Sequence, residues 1–127
     1  MQILSPRNAT RLLLACFLCM SAVAHAADAP QKTFELAIVH GAVPAPQRVL
    51  KVEKGDAVKL TITSDAAGEL HLHGYRLAAK LAPGQPATLA FTAYATGRYP
   101  LEWHGGDAAA AAPHRGPPLA TLEVYPR

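Results

Sequence analysis

The amino-acid sequence predicts an all-β protein, a single-domain Greek-key antiparallel β-sandwich. Short segments alternate apolar and polar residues with the period of two that is typical of half-buried strands. Glycine- and proline-containing turns separate these segments, and no window of useful length has the periodicity of an amphipathic helix. Roughly seven or eight such strands in about a hundred residues indicate a sandwich.

The N-terminus has the pattern of a secretory signal peptide. Two arginines precede an apolar run at residues 12–23, which leads into the small-x-small sequence Ala24-His25-Ala26. The run is shorter than the ~20 apolar residues that a membrane-spanning helix needs. We therefore expect residues 1–26 to be cleaved. Residues 27–127 would then form one domain in the periplasm or outside the cell, with no membrane span.

Cleavage at this site would remove every sulfur-containing side chain, since both cysteines and both methionines lie within residues 1–26. The remaining chain could form no disulfide and would offer no thiolate or thioether ligand to a metal. Its basic residues would fall from 12 to ten, against 9 acidic ones. Because this nearly neutral domain has no basic stripe, we expect no binding to nucleic acid.

The first predicted strand is followed by a proline-containing break. Phe34, Leu36 and Ile38 alternate with Glu or Ala, which is the pattern of a strand with one buried face. Pro44 and Pro46 interrupt this pattern, because proline has no backbone N–H to donate to a sheet. The first strand is therefore expected to end before residue 44.

The segment "RVLKVEKGDAVKLTIT" predicts two further strands, joined by a glycine-containing turn at residues 54–56. Val58, Leu60 and Ile62 alternate with Lys or Thr, so one face of the second strand is expected to be buried and the other exposed to water. Residues 64–68 read as a loop.

The second half of the chain predicts the remaining strands. "ELHLHGYRLAAKL" reads as a strand, a tight bend at Gly74 and another strand, and "TLAFTAY" follows the turn "APGQPA". "TGRYPLEWHG" predicts a strand that begins after a glycine turn and directs Tyr99, Leu101 and Trp103 to the core. "LATLEVYP" predicts the closing strand.

The residues that could carry chemistry are histidines near the ends of two predicted strands. Residues two apart on a strand share a face, so His71 and His73 point the same way, as do Glu102 and His104. Imidazole is the commonest neutral metal ligand in proteins. We predict a metal site formed by His73 and His104, with His71 and His114 as additional ligands. Glu102 would be a ligand or the acceptor that orients a histidine ring.

Other interpretations of these residues stay open. A single histidine on a strand is more often a hydrogen-bonded structural residue than a ligand, and a metal-free sandwich could serve as an interaction module or as an accessory subunit of a periplasmic complex. An enzyme is not expected. Ser64 is the only serine after residue 26, and no glycine-rich phosphate loop precedes a helix. An accessory role in metal oxidation or delivery would need an open coordination position on the metal. No residue in the sequence indicates such a position.

Most of the chain resembles the cupredoxin domain. The resemblance rests on "FELAIVHGAVPAPQRVLKVEKGDAVKLTITSD", "HLHGY", "PGQPATLAFTAYATGRYPLEWH" and "LATLEVYP", which together cover residues 34–126. It implies that His73, in the H-G-Y turn, is a copper ligand. Gly97 and Tyr99 match the beginning of the family motif G-x-Y-x-x-x-Cys, but Trp103 stands where the cysteine would fall.

This departure changes the function that the resemblance implies. His104 follows Trp103 directly, and His114 could take the place of the family's distal copper ligand. Without a thiolate, blue-copper electron transfer is not available. The chain resembles a Cys-less subgroup with H-x-H-G-Y and E-x-H motifs. We therefore expect an exported protein for copper storage, transport or tolerance, whose nitrogen and oxygen ligands would hold Cu(II), with zinc as the alternative ion. A periplasmic protein partner is an open possibility.

Overall fold

The computed structural model describes residues 30–105 and 116–127. The predicted signal peptide and His114 lie outside the described residues. Within these ranges no helix is long and apolar enough to cross a membrane.

Eight strands and one short 3-10 turn make up the described chain. In chain order the elements are β1 (Gln31–Ile38), the 3-10 turn (Ala45–Gln47), β2 (Val49–Glu53), β3 (Ala57–Ser64), β4 (Gly68–Leu72), β5 (Leu77–Leu81), β6 (Ala87–Thr92), β7 (Gly97–Gly105) and β8 (Ala120–Tyr125). The proline-containing segment after the first strand forms the 3-10 turn, with Pro44 as its N-cap. The glycine-containing turn predicted between the second and third strands is also present.

The strands form two sheets that face each other. One sheet has the order β1-β3-β6 and the other the order β2-β8-β7-β4-β5. The predicted all-β, single-domain β-sandwich is confirmed. The prediction that the sheets are antiparallel throughout is wrong: they are mixed, because β1 pairs with β3 and β2 with β8 in parallel, whereas the other pairs are antiparallel. Side-chain alternation has a period of two in either direction, so it cannot distinguish parallel from antiparallel pairing.

The core lies between the sheets and is built from the apolar half of each alternating strand. Leu36, Ile38, Leu60 and Ile62 face it from the smaller sheet, and each is at most 1% exposed. Leu70, Leu72, Leu101 and Leu122 face it from the larger sheet and are equally buried. Burial of each such side chain contributes about 2 kcal/mol. This contribution determines which face of every strand points inward, and so which residues remain on the outside.

At one end of the sandwich, a buried carboxylate is paired with the C-terminal residue. Asp56, in the turn between β2 and β3, is fully buried. One of its carboxylate oxygens accepts a hydrogen bond from the backbone N–H of Glu53 at 2.9 Å, and the other accepts one from the guanidinium of Arg127. The guanidinium also lies 3.4 Å from the carboxylate of Glu53. These contacts join the chain terminus to the turn.

Candidate metal centre

The register between β4 and β7 brings the predicted site residues together. The two strands are antiparallel, with Glu69 opposite His104 and His71 opposite Glu102. Leu70 and Leu72 alternate with these residues and are buried in the core. The polar side chains therefore lie on the outer face of the five-stranded sheet, not at an end where the sandwich opens.

His73 extends this arrangement beyond the end of β4. Its backbone N–H donates to the carbonyl of Pro100 at 3.0 Å, which continues the pairing with β7 by one residue. Its Nε2 atom lies 2.9 Å from Oε2 of Glu102. We use the name imidazole face for the surface formed by Glu69, His71, His73, Glu102 and His104.

The three imidazoles of this face are close neighbours. The ring centroids of His71 and His104 are 4.5 Å apart, and those of His71 and His73 are 6.1 Å apart. His71 thus occupies the middle position. Four of the five predicted site residues, His71, His73, His104 and Glu102, are brought together, and the fifth, His114, lies outside the described residues. Their role as ligands stays a prediction.

Two carboxylates accompany the imidazoles. Besides the contact between Glu102 and His73, Oε1 of Glu69 lies 2.8 Å from Nε2 of His71. Sequence reasoning missed Glu69, although it precedes His71 with the same E-x-H spacing that connects Glu102 to His104. That repeated spacing is the signal that could have identified it.

An open cleft adjoins one end of the imidazole face. Its volume is about 550 Å³, and it is lined by Ala67, Gly68, Glu69, His71, Lys80, Leu81 and His104. Lys80 belongs to β5 and is the cross-strand neighbour of Glu69. An ion or a small ligand could therefore reach the side chains of His71 and His104 from solvent without a rearrangement of the backbone.

The side chains of the imidazole face are of the types that bind copper, but their present positions do not surround a single ion. Neutral imidazole and carboxylate groups bind Cu(II) and zinc, and neither metal requires a thiolate. In residues 30–105 and 116–127, no three His, Cys, Asp or Glu side chains are placed to hold one ion together. Side-chain rotation, or an additional ligand from outside these ranges, would be needed to complete a site.

Trp103 supports the imidazole face from the inner side of the sheet. Its side chain packs against the core, so it points away from the neighbouring His104. A Cβ atom added to Gly68 would lie 2.5 Å from the Trp103 ring and 2.5 Å from the carbonyl oxygen of His104. At Gly105 an added Cβ atom would lie 2.5 Å from Nε1 of Trp103. Glycine at both positions allows the indole to lie under this end of the β4–β7 pair.

A cluster of tyrosines supports the turn that carries His73. The hydroxyl of Tyr94 donates to the carbonyl of Gly74 at 3.0 Å, and the ring of Tyr99 packs directly against Gly74. Gly74 has a φ of 82°, which few residues other than glycine adopt without strain. Tyr75 packs against both rings at centroid distances of 4.6 and 4.8 Å. Burial raises the pKa of the Tyr75 phenol.

The sequence matches no protein-family model and no curated protein. Solved structures do resemble the fold. A copper binding protein, determined in its apo form by NMR, has a TM-score of 0.55 at 10% identity and covers 74% of this chain and 87% of its own. A multicopper oxidase has a TM-score of 0.56 at 21% identity, and a Cu-containing nitrite reductase from Thermus scotoductus has 0.58 at 22%.

These likenesses establish the fold. Each of the two enzymes matches 76% of this chain, but the chain spans only 42% of the oxidase and 28% of the reductase. The predicted cupredoxin-like sandwich is confirmed as a fold. Membership of a Cys-less subgroup stays a prediction.

Proposed function

We propose that this cupredoxin-like domain belongs to an exported, periplasmic protein that binds copper for storage, transport or tolerance. The observation that carries the proposal is the imidazole face, where three adjacent imidazoles and two carboxylates meet beside an open cleft. Structural neighbours named as copper-binding or copper-containing proteins support copper as the metal.

His71, His73 and His104 would supply nitrogen ligands, with Glu102 as a weak ligand or an orienting residue and His114 as an additional ligand. Such a set favours Cu(II) of the colourless kind, with zinc as the alternative ion. Rotation of the side chains toward a common ion would cost little. The carboxylate–imidazole pairs are partly exposed to water, and each such pair stabilises its geometry by about 0–1 kcal/mol.

The function we propose is binding, without a catalytic step. A protein that receives and releases copper needs ligands that solvent and a partner can reach, and the cleft beside His71 and His104 provides that access. The competing proposal is a metal-free interaction module. It is favoured by the carboxylate contacts that already engage Nε2 of His71 and of His73, since structural histidines make such contacts.

Titration of the purified protein with Cu(II) tests the proposal, with the variants His73→Ala and His104→Ala in parallel. We expect each variant to bind copper at least about tenfold more weakly, because each would lose one ligand. His40→Ala is the matched control. His40 is 92% exposed and contacts Asp65 rather than the imidazole face, so its removal should leave copper affinity unchanged.

Equal copper affinity in the wild type and all three variants would refute the ligand assignment. A melting temperature that does not respond to Cu(II) or Zn(II) would favour the metal-free module, since a ligand that binds only the folded state raises that temperature. Parallel titrations with Zn(II) would determine which of the two ions is held more tightly.

A further inference from the structure

We infer that Glu69 belongs to the metal site, and that Glu69 and Glu102 hold the imidazoles of His71 and His73 with the proton on Nε2. Each ring would then present Nδ1 to a metal. The placement of the proton does not depend on any metal, whereas the identity of the metal-binding atom rests on the proposed function.

The first step is the contact between each ring and its carboxylate. Nε2 of His71 lies 2.8 Å from Oε1 of Glu69, and Nε2 of His73 lies 2.9 Å from Oε2 of Glu102. Both distances lie in the hydrogen-bond range, and the contact of His73 with Glu102 also has hydrogen-bond geometry. An ionised carboxylate only accepts hydrogen bonds, so the imidazole nitrogen must donate. A neutral imidazole has one N–H, and its lone pair is then left on Nδ1.

The second step is the position of the carboxylates. Glu69 precedes His71 by two residues on β4, while Glu102 lies on β7, directly opposite His71, and contacts His73. The side chains of Glu69 and Glu102 are 34% and 22% exposed, compared with 56% for that of Glu53 at the end of β2. Partial burial shields these carboxylate–imidazole contacts from competition with water. The two carboxylates are therefore suited to fix ring orientation.

The third step is the chemistry of ligating histidines. A histidine that binds a metal through one ring nitrogen commonly donates the other N–H to a carboxylate, which fixes the tautomer and increases the basicity of the ligating nitrogen. Glu69 with His71, and Glu102 with His73, have this arrangement before any metal binds. Glu102 thereby becomes a positioning residue instead of a ligand, and Glu69 has the same role for the central imidazole.

Long-range ¹H–¹⁵N NMR spectra of the metal-free, ¹⁵N-labelled protein at about pH 8 test the proton placement. We expect the pattern of an Nε2–H tautomer for both His71 and His73. Glu69→Gln should disturb the tautomer of His71 alone and Glu102→Gln that of His73 alone, because an amide can donate to a ring nitrogen as well as accept. Glu35→Gln, on the exposed side of β1, is the control and should change neither.

Titration with Zn(II), a diamagnetic probe, tests the metal-binding atom in the same spectra. We expect the Nδ1 resonances of His71 and His73 to shift on binding, and Glu69→Gln to weaken binding about tenfold. An Nδ1–H tautomer in the metal-free protein, or Zn(II) coordination through Nε2, would overturn the inference even if metal binds. A protein with the expected tautomers that binds neither Zn(II) nor Cu(II) would instead overturn the proposed function, and with it the role of Nδ1.

Discussion

Two regions of this molecule pair carboxylates with basic groups, and they differ in what surrounds the pair. The Asp56 carboxylate is 1% exposed, and it is satisfied by a backbone N–H and the guanidinium of Arg127. On the imidazole face, Glu69 and Glu102 are partly exposed and contact imidazoles that solvent can also reach. A buried charge depends on its partner, whereas a half-exposed pair can exchange its partner at small cost.

The difference indicates how each region contributes. The contacts of Asp56 hold the turn between β2 and β3 to Arg127, whereas the side chains of His71 and His104 line an open cleft of about 550 Å³. The imidazole face derives its shape from the packing beneath it, where Trp103 and Leu101 hold β7 against the core. The strands of this face are consequently held by the core, and its carboxylates are available to orient the imidazole rings.

The largest expected effect comes from disturbing the packing under the imidazole face. Gly68→Ala would place a Cβ atom against the Trp103 ring and the His104 carbonyl. We expect this substitution to lower the free energy of unfolding by about 3 kcal/mol. Copper affinity should fall as well, because His104 would be displaced. Gly116→Ala, where nothing lies within 4 Å of an added Cβ, is the control. Urea denaturation and copper titration measure the two effects. If Gly68→Ala changed neither the stability nor the copper affinity, the imidazole face would not depend on this packing.

Removal of the partner of the buried carboxylate should have the next largest effect. Arg127→Ala would leave Asp56 without its guanidinium, and we expect a loss of about 2 kcal/mol in urea denaturation. This is below the 3–5 kcal/mol of a fully buried pair, since the guanidinium is half exposed. Arg98→Ala breaks the more exposed pair with Glu123 and should cost less than about 1 kcal/mol. Copper affinity should stay unchanged in both variants. A copper defect in Arg127→Ala would contradict the separation of the two regions.

A change of pH should affect the imidazole face through ligand competition. Protons and copper compete for the same imidazole nitrogens, so we expect copper affinity to fall about tenfold or more as pH is lowered from about 7.5 to 5.5. Circular dichroism at each pH would establish that the fold persists. Copper affinity that stays constant over this range would indicate that imidazoles are not the ligands.

The smallest expected effect concerns the turn that carries His73. Tyr94→Phe removes the hydrogen bond to the carbonyl of Gly74 but retains the ring that packs on Tyr75. We expect less than about 1 kcal/mol of lost stability and at most about a threefold loss of copper affinity, because this hydrogen bond is exposed. A larger loss of copper affinity without a loss of stability would mean that the tyrosine cluster positions His73 directly.

Much of the fold could be predicted because alternation and turn residues are local signals. The apolar positions of β1 and β3 face the core as expected, and the turn at residues 54–56 was recognised from its glycine. The predicted antiparallel pairing is wrong for β1 with β3 and for β2 with β8, and the strand neighbours were not predictable. They depend on contacts between residues distant in the chain, and the alternating pattern is the same in parallel and antiparallel sheets.

The candidate site likewise combines features that local spacing predicts with features that depend on contacts between distant residues. The shared faces of His71 with His73 and of Glu102 with His104 follow from a period of two. The proximity of His71 to His104, and the contact of Glu102 with His73, come from the register of β4 against β7. Glu69 was not among the predicted site residues, and its contact with His71 is seen only in the structure.

By itself the sequence determined the strands, their buried faces and a supply of imidazoles without sulfur in the predicted mature chain, because each of these depends on residue type and local spacing. Only the tertiary structure decided that β4 and β7 are neighbours, that the imidazoles lie on the outside of a sheet, and that each carboxylate pairs with a particular ring. The physical reason is that strand register is selected by burial of the whole core, in which Leu70, Leu72 and Leu101 outweigh any preference of the polar side chains on the opposite face.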